Sequence, residues 1–276
     1  MTPSTSFTAS TQAGAQPQAE PRLWALVPCA GSGSRAATAQ PKQYQIVAGQ
    51  TVLAHTLAAL RAVTQLSGVL VVAAPGDSFA GNLVGELNSI TGATVSVAGC
   101  GGFTRARSVL NGLSALADGG AASHDWVLVH DAARCLVTPG QIDTLIAACL
   151  NDDVGGLLAL PLPDTLKSGR EGRVDQTVDR SDKWLAQTPQ MFRLGALRAA
   201  LEQGGDQITD ESSAMEAMGY HPKLVTGSAQ NFKVTYPKDF ALAENILRAR
   251  LAQAPQHPFH IQQPNHPRPD LTYDYP

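Results

Sequence analysis

The chain is 276 residues long, 43% hydrophobic and 16% charged, with a formal net charge of -3. That composition can bury a substantial core, and it excludes a protein that holds nucleic acid or an acidic membrane through overall charge; no apolar run approaches the roughly 20 residues that cross a bilayer. The four cysteines, Cys29, Cys100, Cys135 and Cys149, have neither CxxC spacing nor the density of a disulfide scaffold, so reduced thiols and a cytoplasmic location are expected.

Residues 1–21 are rich in Thr, Ser, Ala, Gln and Pro and have almost no large apolar groups to offset the entropy of ordering, so a disordered tail is expected. A domain over 22–252 follows. Within it "LWALVPCA", "VLVVAAP", "TVSVAG", "WVLVHDAA" and "GGLLALPL" read as buried strands, ending near Ala30, Pro75, Gly99, Ala133 and Leu162. Between them leucines recur at helical spacing, as at Leu53, Leu57 and Leu60, then Leu110, Leu113 and Leu116. Thr138 is placed to cap a helix whose first position is Pro139. The alternation predicts βαβ units: an α/β fold with a doubly wound, mostly parallel sheet whose ligands sit at the carboxyl ends of the strands.

At about 163–183 the rhythm breaks into "PDTLKSGREGRVDQTVDRSDK", too polar for a core layer, with Gly169 and Gly172 near its middle. This predicts a protruding β-hairpin arm, a natural dimerisation device, although pattern alone equally allows a surface loop. Beyond it come a helix near 194–202, another near 211–218, strands at "PKLVTG" and "NFKVTYP", and a last helix opened by Pro237. Residues 253–276, crowded with proline and histidine, read as a second, solvated tail.

The stretch "VPCAGSGSRAATAQPKQY" at 27–44 resembles a dinucleotide fingerprint, with Gly31 and Gly33. Such a fold needs a helix directly after the loop and an acidic residue roughly 20 positions on. Both are missing: Pro41 interrupts any early helix, and no Asp or Glu occurs between Glu20 and Asp77. The P-loop pattern is absent as well. What remains is a glycine loop with two cations, Arg35 and Lys42, in a stretch without carboxylates, which either holds a polyphosphate or is a tight turn bearing solvated charges.

With "VHDAAR", "DTLK", "VDR", "TPQMF", "TDESSAMEAMGY" and "NFKVT" following in that order, the chain from 24 to 250 resembles the 2-C-methyl-D-erythritol 4-phosphate cytidylyltransferase family. The resemblance implies a Rossmann-like nucleotidyltransferase sheet whose arm interlocks two subunits, with CTP and a polyol phosphate as substrates and Mg2+ as the divalent cation. No nucleic acid or membrane partner is implied. It makes Arg35 and Lys42 the triphosphate clamp, with Arg180 and Lys233 also counted as catalytic. Cys29, Ala30, Gly31, Gly33, Gly102 and Ser108 would bind CTP, and Asp131 would hold the metal. Arg134, Thr188 and Lys233 of one subunit, with Thr165 and Arg180 of its partner's arm, would hold the acceptor. His130 is expected to be structural, since an acceptor phosphate is already anionic and needs no general base.

Three positions depart from the family's pattern: Phe103 stands where many relatives have an acidic residue, Cys135 replaces a proline, and Gln230 replaces a carboxylate. The competing readings are a ribitol 5-phosphate cytidylyltransferase, a sugar 1-phosphate nucleotidyltransferase and a non-catalytic nucleotide-binding protein of the same fold.

Overall fold

Alternating side chains place strand β1, Leu23–Pro28, between two apolar layers, with Ala25 and Val27 in one and Leu26 in the other, as the two-residue period of a strand requires. The computed structural model describes residues 19–31, 40–89, 92–205 and 208–253. The two expected tails therefore fall almost wholly outside the described residues, as do Gly33 and Arg35.

A 3-10 turn at Lys42–Tyr44 leads into a small antiparallel pair, β2 (Ile46–Val47) and β3 (Gln50–Thr51). Helix α1 (Val52–Arg61), capped by Thr51, precedes β4 (Leu66–Val72). Helix α2 (Ser78–Asn88), capped by Asp77, precedes β5 (Val95–Ala98), and α3 (Arg105–Asp118), capped by Thr104, precedes β6 (Trp126–Val129). Helix α4 (Pro139–Cys149) starts with a capping box between Thr138 and Gln141, and Pro139 takes a position where its missing N–H costs nothing. There follow β7 (Gly155–Pro161), β8 (Leu166–Arg170), β9 (Arg173–Val178), β10 (Trp184–Arg193), α5 (Leu194–Gly204), α6 (Glu211–Ala217), β11 (Lys223–Thr226) and α7 (Pro237–Gln253).

The main sheet has the order β11-β7-β10-β6-β1-β4-β5. Its pairs are parallel except where β10 runs antiparallel to both β6 and β7. Leu53, Leu57 and Leu60 of α1 and Leu145 of α4 cover one face; Leu110, Leu113 and Leu116 of α3 and Leu197 of α5 cover the other. Coverage on both sides is why the strands are continuous apolar runs rather than alternating ones. Helix α3 lies close on the sheet at Gly112, where a Cβ would meet Val72 and Leu26 at 2.5 and 2.8 Å.

Strands β8 and β9 pair with each other as a separate two-stranded sheet. Glu171 and Gly172 link them with φ of 51° and 77°, the pair of positive values that a two-residue type I′ turn needs.

One expected strand does not form. The stretch 231–237 alternates like a strand, yet Val234 N–H donates to the Ala133 carbonyl at 2.9 Å, and the N–H groups of Thr235 and Tyr236 go to the Asp239 carboxylate at 2.7 and 2.8 Å. These donors are taken by a loop carbonyl and a side chain that opens α7, so no ladder can use them. Burial does not follow the alternation either: Asn231 and Val234 are buried, whereas Tyr236 is exposed.

Candidate active site

From β1 the chain moves outward to β4 and β5, then returns to pair β6 on β1's other side. Crevices at the carboxyl ends of strands open at such switch points. A cavity of about 580 Å³ lies there, walled by Cys29, Ala30 and Gly31 after β1, by Gly102, Thr104, Arg105 and Ser108 after β5, and by Asp131, Ala132 and Ala133 after β6, with Lys42, Gln43 and Lys233.

One end of this cavity is neutral and built from small residues. The Gln43 carboxamide donates to the carbonyls of Cys29 and Gly31 at 2.9 and 3.0 Å and so clips the start of the glycine loop. Cys29 Sγ lies 3.8 Å from the Tyr44 hydroxyl, which donates to Asp77 at 2.5 Å. Burial pushes the Cys29 thiol up to about 12, so it is an uncharged wall and not a nucleophile. Across the cavity the Gly102 N–H donates to Ser108 Oγ at 3.0 Å, and that hydroxyl donates to the Thr104 carbonyl at 3.0 Å. Ser108 thus pins the loop before α3 while facing the cavity.

The other end is charged. Asp131 Oδ1 accepts from Arg105 Nε at 2.8 Å and Oδ2 meets Lys233 Nζ at 2.7 Å, with Arg134 Nε at 3.8 Å. Burial works to raise the Asp131 carboxyl, but Arg105 and Lys233 overcome it and hold the pKa well below the ordinary value. Arg105 turns its other nitrogens to the buried Glu211 at 2.7 and 3.0 Å. Three cations against two carboxylates leave this cluster net positive, and the Lys42 ammonium, donating to the Val234 carbonyl at 2.9 Å, adds to it. An anion is favoured there.

Beneath Asp131 runs a chain of hydrogen bonds. Its N–H donates to Thr188 Oγ1 at 3.0 Å; that oxygen lies 3.1 Å from His130 Nδ1, and His130 Nε2 lies 3.2 Å from the Arg134 carbonyl. A carbonyl only accepts, so Nε2 carries the proton and Nδ1 accepts from Thr188. Burial holds the His130 pKa down to about 4 and the ring neutral.

The expected residues divide accordingly. Cys29, Ala30, Gly31, Gly102, Ser108, Lys42, Asp131 and Lys233 share the cavity wall. Arg134 and Thr188 are not on it: Thr188 is buried with its hydroxyl spent on Asp131 and His130, and Arg134 donates to the carbonyls of Asn231 and Ala186. Thr165 and Arg180 are exposed at the base of the β8–β9 hairpin and do not line the cavity. Gln230 binds Arg250 at 2.9 Å, also off the wall. Arg105, Gln43 and Glu211 escaped the sequence reading. Only Arg105 leaves a trace, as a cation in the first turn of a helix, where the macrodipole disfavours it.

A hard cation is compatible with this donor set in one way. Among the described residues no group of three His, Cys, Asp or Glu side chains could cage a metal, so Asp131 would be the carboxylate and substrate phosphates would supply the other oxygens, the usual arrangement for magnesium. A carboxylate retains lone pairs beside the two close ion pairs to Arg105 and Lys233.

Residues 23–249 match the family described as IspD, 2-C-methyl-D-erythritol 4-phosphate cytidylyltransferase. The bifunctional enzyme IspD/IspF of Albidiferax ferrireducens is 62% identical over 243 residues; the match covers 87% of this chain, and the chain spans 57% of that longer relative. The 2-C-methyl-D-erythritol 4-phosphate cytidylyltransferase of Burkholderia multivorans is 52% identical, over 85% of this chain and 99% of its own length. A crystal structure of 4-diphosphocytidyl-2C-methyl-D-erythritol synthase superposes with a TM-score of 0.73 at 39% identity, over 83% of this chain and all of that one.

Proposed function

This chain belongs to the 2-C-methyl-D-erythritol 4-phosphate cytidylyltransferase family, and from that premise we propose that it transfers the cytidylyl group of CTP to 2-C-methyl-D-erythritol 4-phosphate, releasing pyrophosphate. The observation that carries the reading is the two-ended cavity. Its neutral end offers small walls and backbone groups to a base, and its cationic end, at Lys42, Lys233 and the Asp131 cluster, suits phosphates.

An acceptor phosphate oxygen attacks the α-phosphorus, forming one P–O bond as the bond to the pyrophosphate leaving group breaks. The nucleophile is already anionic, so the work is positioning and charge stabilisation. Lys42, with Arg35 from the glycine loop, neutralises the triphosphate as charge moves to the leaving group. Lys233, 2.7 Å from Asp131, is within reach to turn from that carboxylate to a bound phosphate. Arg134 and Thr188 serve the acceptor side from behind the cavity wall, Arg134 held by the carbonyls of Asn231 and Ala186 and Thr188 holding the Asp131 backbone. Magnesium bound by Asp131 and the phosphates would neutralise the charge of the triphosphate.

Thr165 and Arg180 join the site from the arm of a second subunit, which makes the working form a homodimer. Arg180→Ala then raises the acceptor's KM by about tenfold; an unchanged value removes the hairpin from the site. Free cysteines, and no helix among the described residues that is long and apolar enough to cross a membrane, support a cytoplasmic setting.

Pyrophosphate release with CTP and magnesium, compared across methylerythritol phosphate, ribitol 5-phosphate and a hexose 1-phosphate, tests the whole reading. Selective turnover with the first is expected. Preference for ribitol 5-phosphate moves the acceptor, and CTP binding without turnover on any of the three leaves a nucleotide-binding protein.

A further inference from the structure

Phe103 sits on the wall of the cavity with its side chain fully exposed. A lone exposed phenylalanine needs no explanation, but this one is held out by its surroundings. On one side Gly102 is tied to Ser108 Oγ at 3.0 Å and lies so close to the Arg107 side chain that a Cβ would meet it at 2.3 Å. On the other side Thr104 caps α3 by accepting from the Arg107 N–H at 3.1 Å. The backbone at 103 is thus pinned while its ring has water where neighbours would be, at the lip of a site of ligand size.

Its place along the cavity narrows what it meets. Phe103 adjoins Gly102 at the neutral end, whereas the cations gather around Asp131. A neutral ring gains nothing from a phosphate but gains dispersion and desolvation against the flat face of a base.

We infer that Phe103 is a stacking lid for the nucleotide base, covering the face of a ring whose edge is read by the small-walled neutral end of the cavity. This inference rests on the nucleotide reading above and adds to it a contact made by a residue on the cavity wall. Stacking acts on binding, with the ground state and transition state stabilised alike, so it lowers KM for CTP without raising kcat.

The test compares the full-length parent with Phe103→Ala and Phe103→Tyr, titrating each with CTP and with inorganic tripolyphosphate and measuring turnover. The ring is exposed, so neither variant threatens the fold. Phe103→Ala should bind CTP about tenfold more weakly, with tripolyphosphate affinity and kcat within twofold of the parent, and Phe103→Tyr should restore CTP binding. CTP affinity unchanged in Phe103→Ala, or an equal loss for tripolyphosphate, overturns the lid. A parent that binds tripolyphosphate but shows no preference for CTP overturns the nucleotide reading itself, and the lid with it.

Discussion

Two aspartates flank strand β6, and their surroundings separate what holds the molecule together from what it works with. At the amino end, buried Asp125 accepts from the N–H groups of Arg22 and Ala122, from Trp24 Nε1 and from Arg22 Nε, at 2.9 to 3.2 Å. Most of these donors are fixed by backbone or by a rigid ring, and they tie the start of β1 to β6. At the carboxyl end, Asp131 is gripped by Arg105, itself held by Glu211, and by Lys233, a long side chain that can exchange one anion for another, and it faces the cavity. A carboxylate satisfied by fixed donors is a structural pin. One satisfied in part by a movable cation beside a cavity is a working part.

The sharpest way to break this contrast is to remove charge from the carboxyl end. Lys42→Ala should lower kcat by about 10³, or about 4 kcal/mol of barrier, while the acceptor's KM changes little, because the ammonium acts on the reacting phosphate. Turnover at the parental rate would sink its assignment to the triphosphate. The aspartates themselves come next. Asp131→Asn should cut turnover about 10²-fold with a smaller effect on folding. Asp125→Ala should leave kcat unchanged and cost about 3 kcal/mol in denaturant unfolding, because several donors lose their acceptor. If both substitutions cost the same property, the two ends of β6 do not differ as described.

The smallest effect sharpens the comparison through pH. Folded His130 has its pKa lowered by burial from 6.5 to about 4, so between those values the unfolded chain binds the proton and the folded chain does not. Stability is then full above pH 6.5 and falls as pH drops toward 4, by about 2 kcal/mol between pH 6.5 and 5. Urea midpoints across that range should show the slope, and His130→Gln should flatten it; an equal slope in both proteins would mean that another group titrates.

Much of this architecture was legible along the chain. The apolar runs were strands because a doubly covered sheet needs continuous apolar strands, and Thr138 with Pro139 opened α4 as their chemistry requires. The hairpin's turn at Glu171 and Gly172 lay within the polar break. The glycine loop with Lys42, followed by the ordered run of segments, pointed to the family. These signals are local, since period, cap and turn depend on residues a few positions apart.

What they could not reveal was which charges would meet. Arg105, Asp131, Glu211 and Lys233 come from the ends of different elements, and only the order of the sheet brings them together. The resemblance makes Thr188 an acceptor contact, but only the fold shows its hydroxyl tied to His130 and the Asp131 N–H, and 231–237 reads as a strand until Asp239 takes its N–H groups. Sequence by itself determined the layers, the caps and the family, because burial and turn chemistry are written at short range. Tertiary structure alone decided the ion pairs and the two ends of the cavity, because electrostatic partners are chosen by distance in space after the loops close.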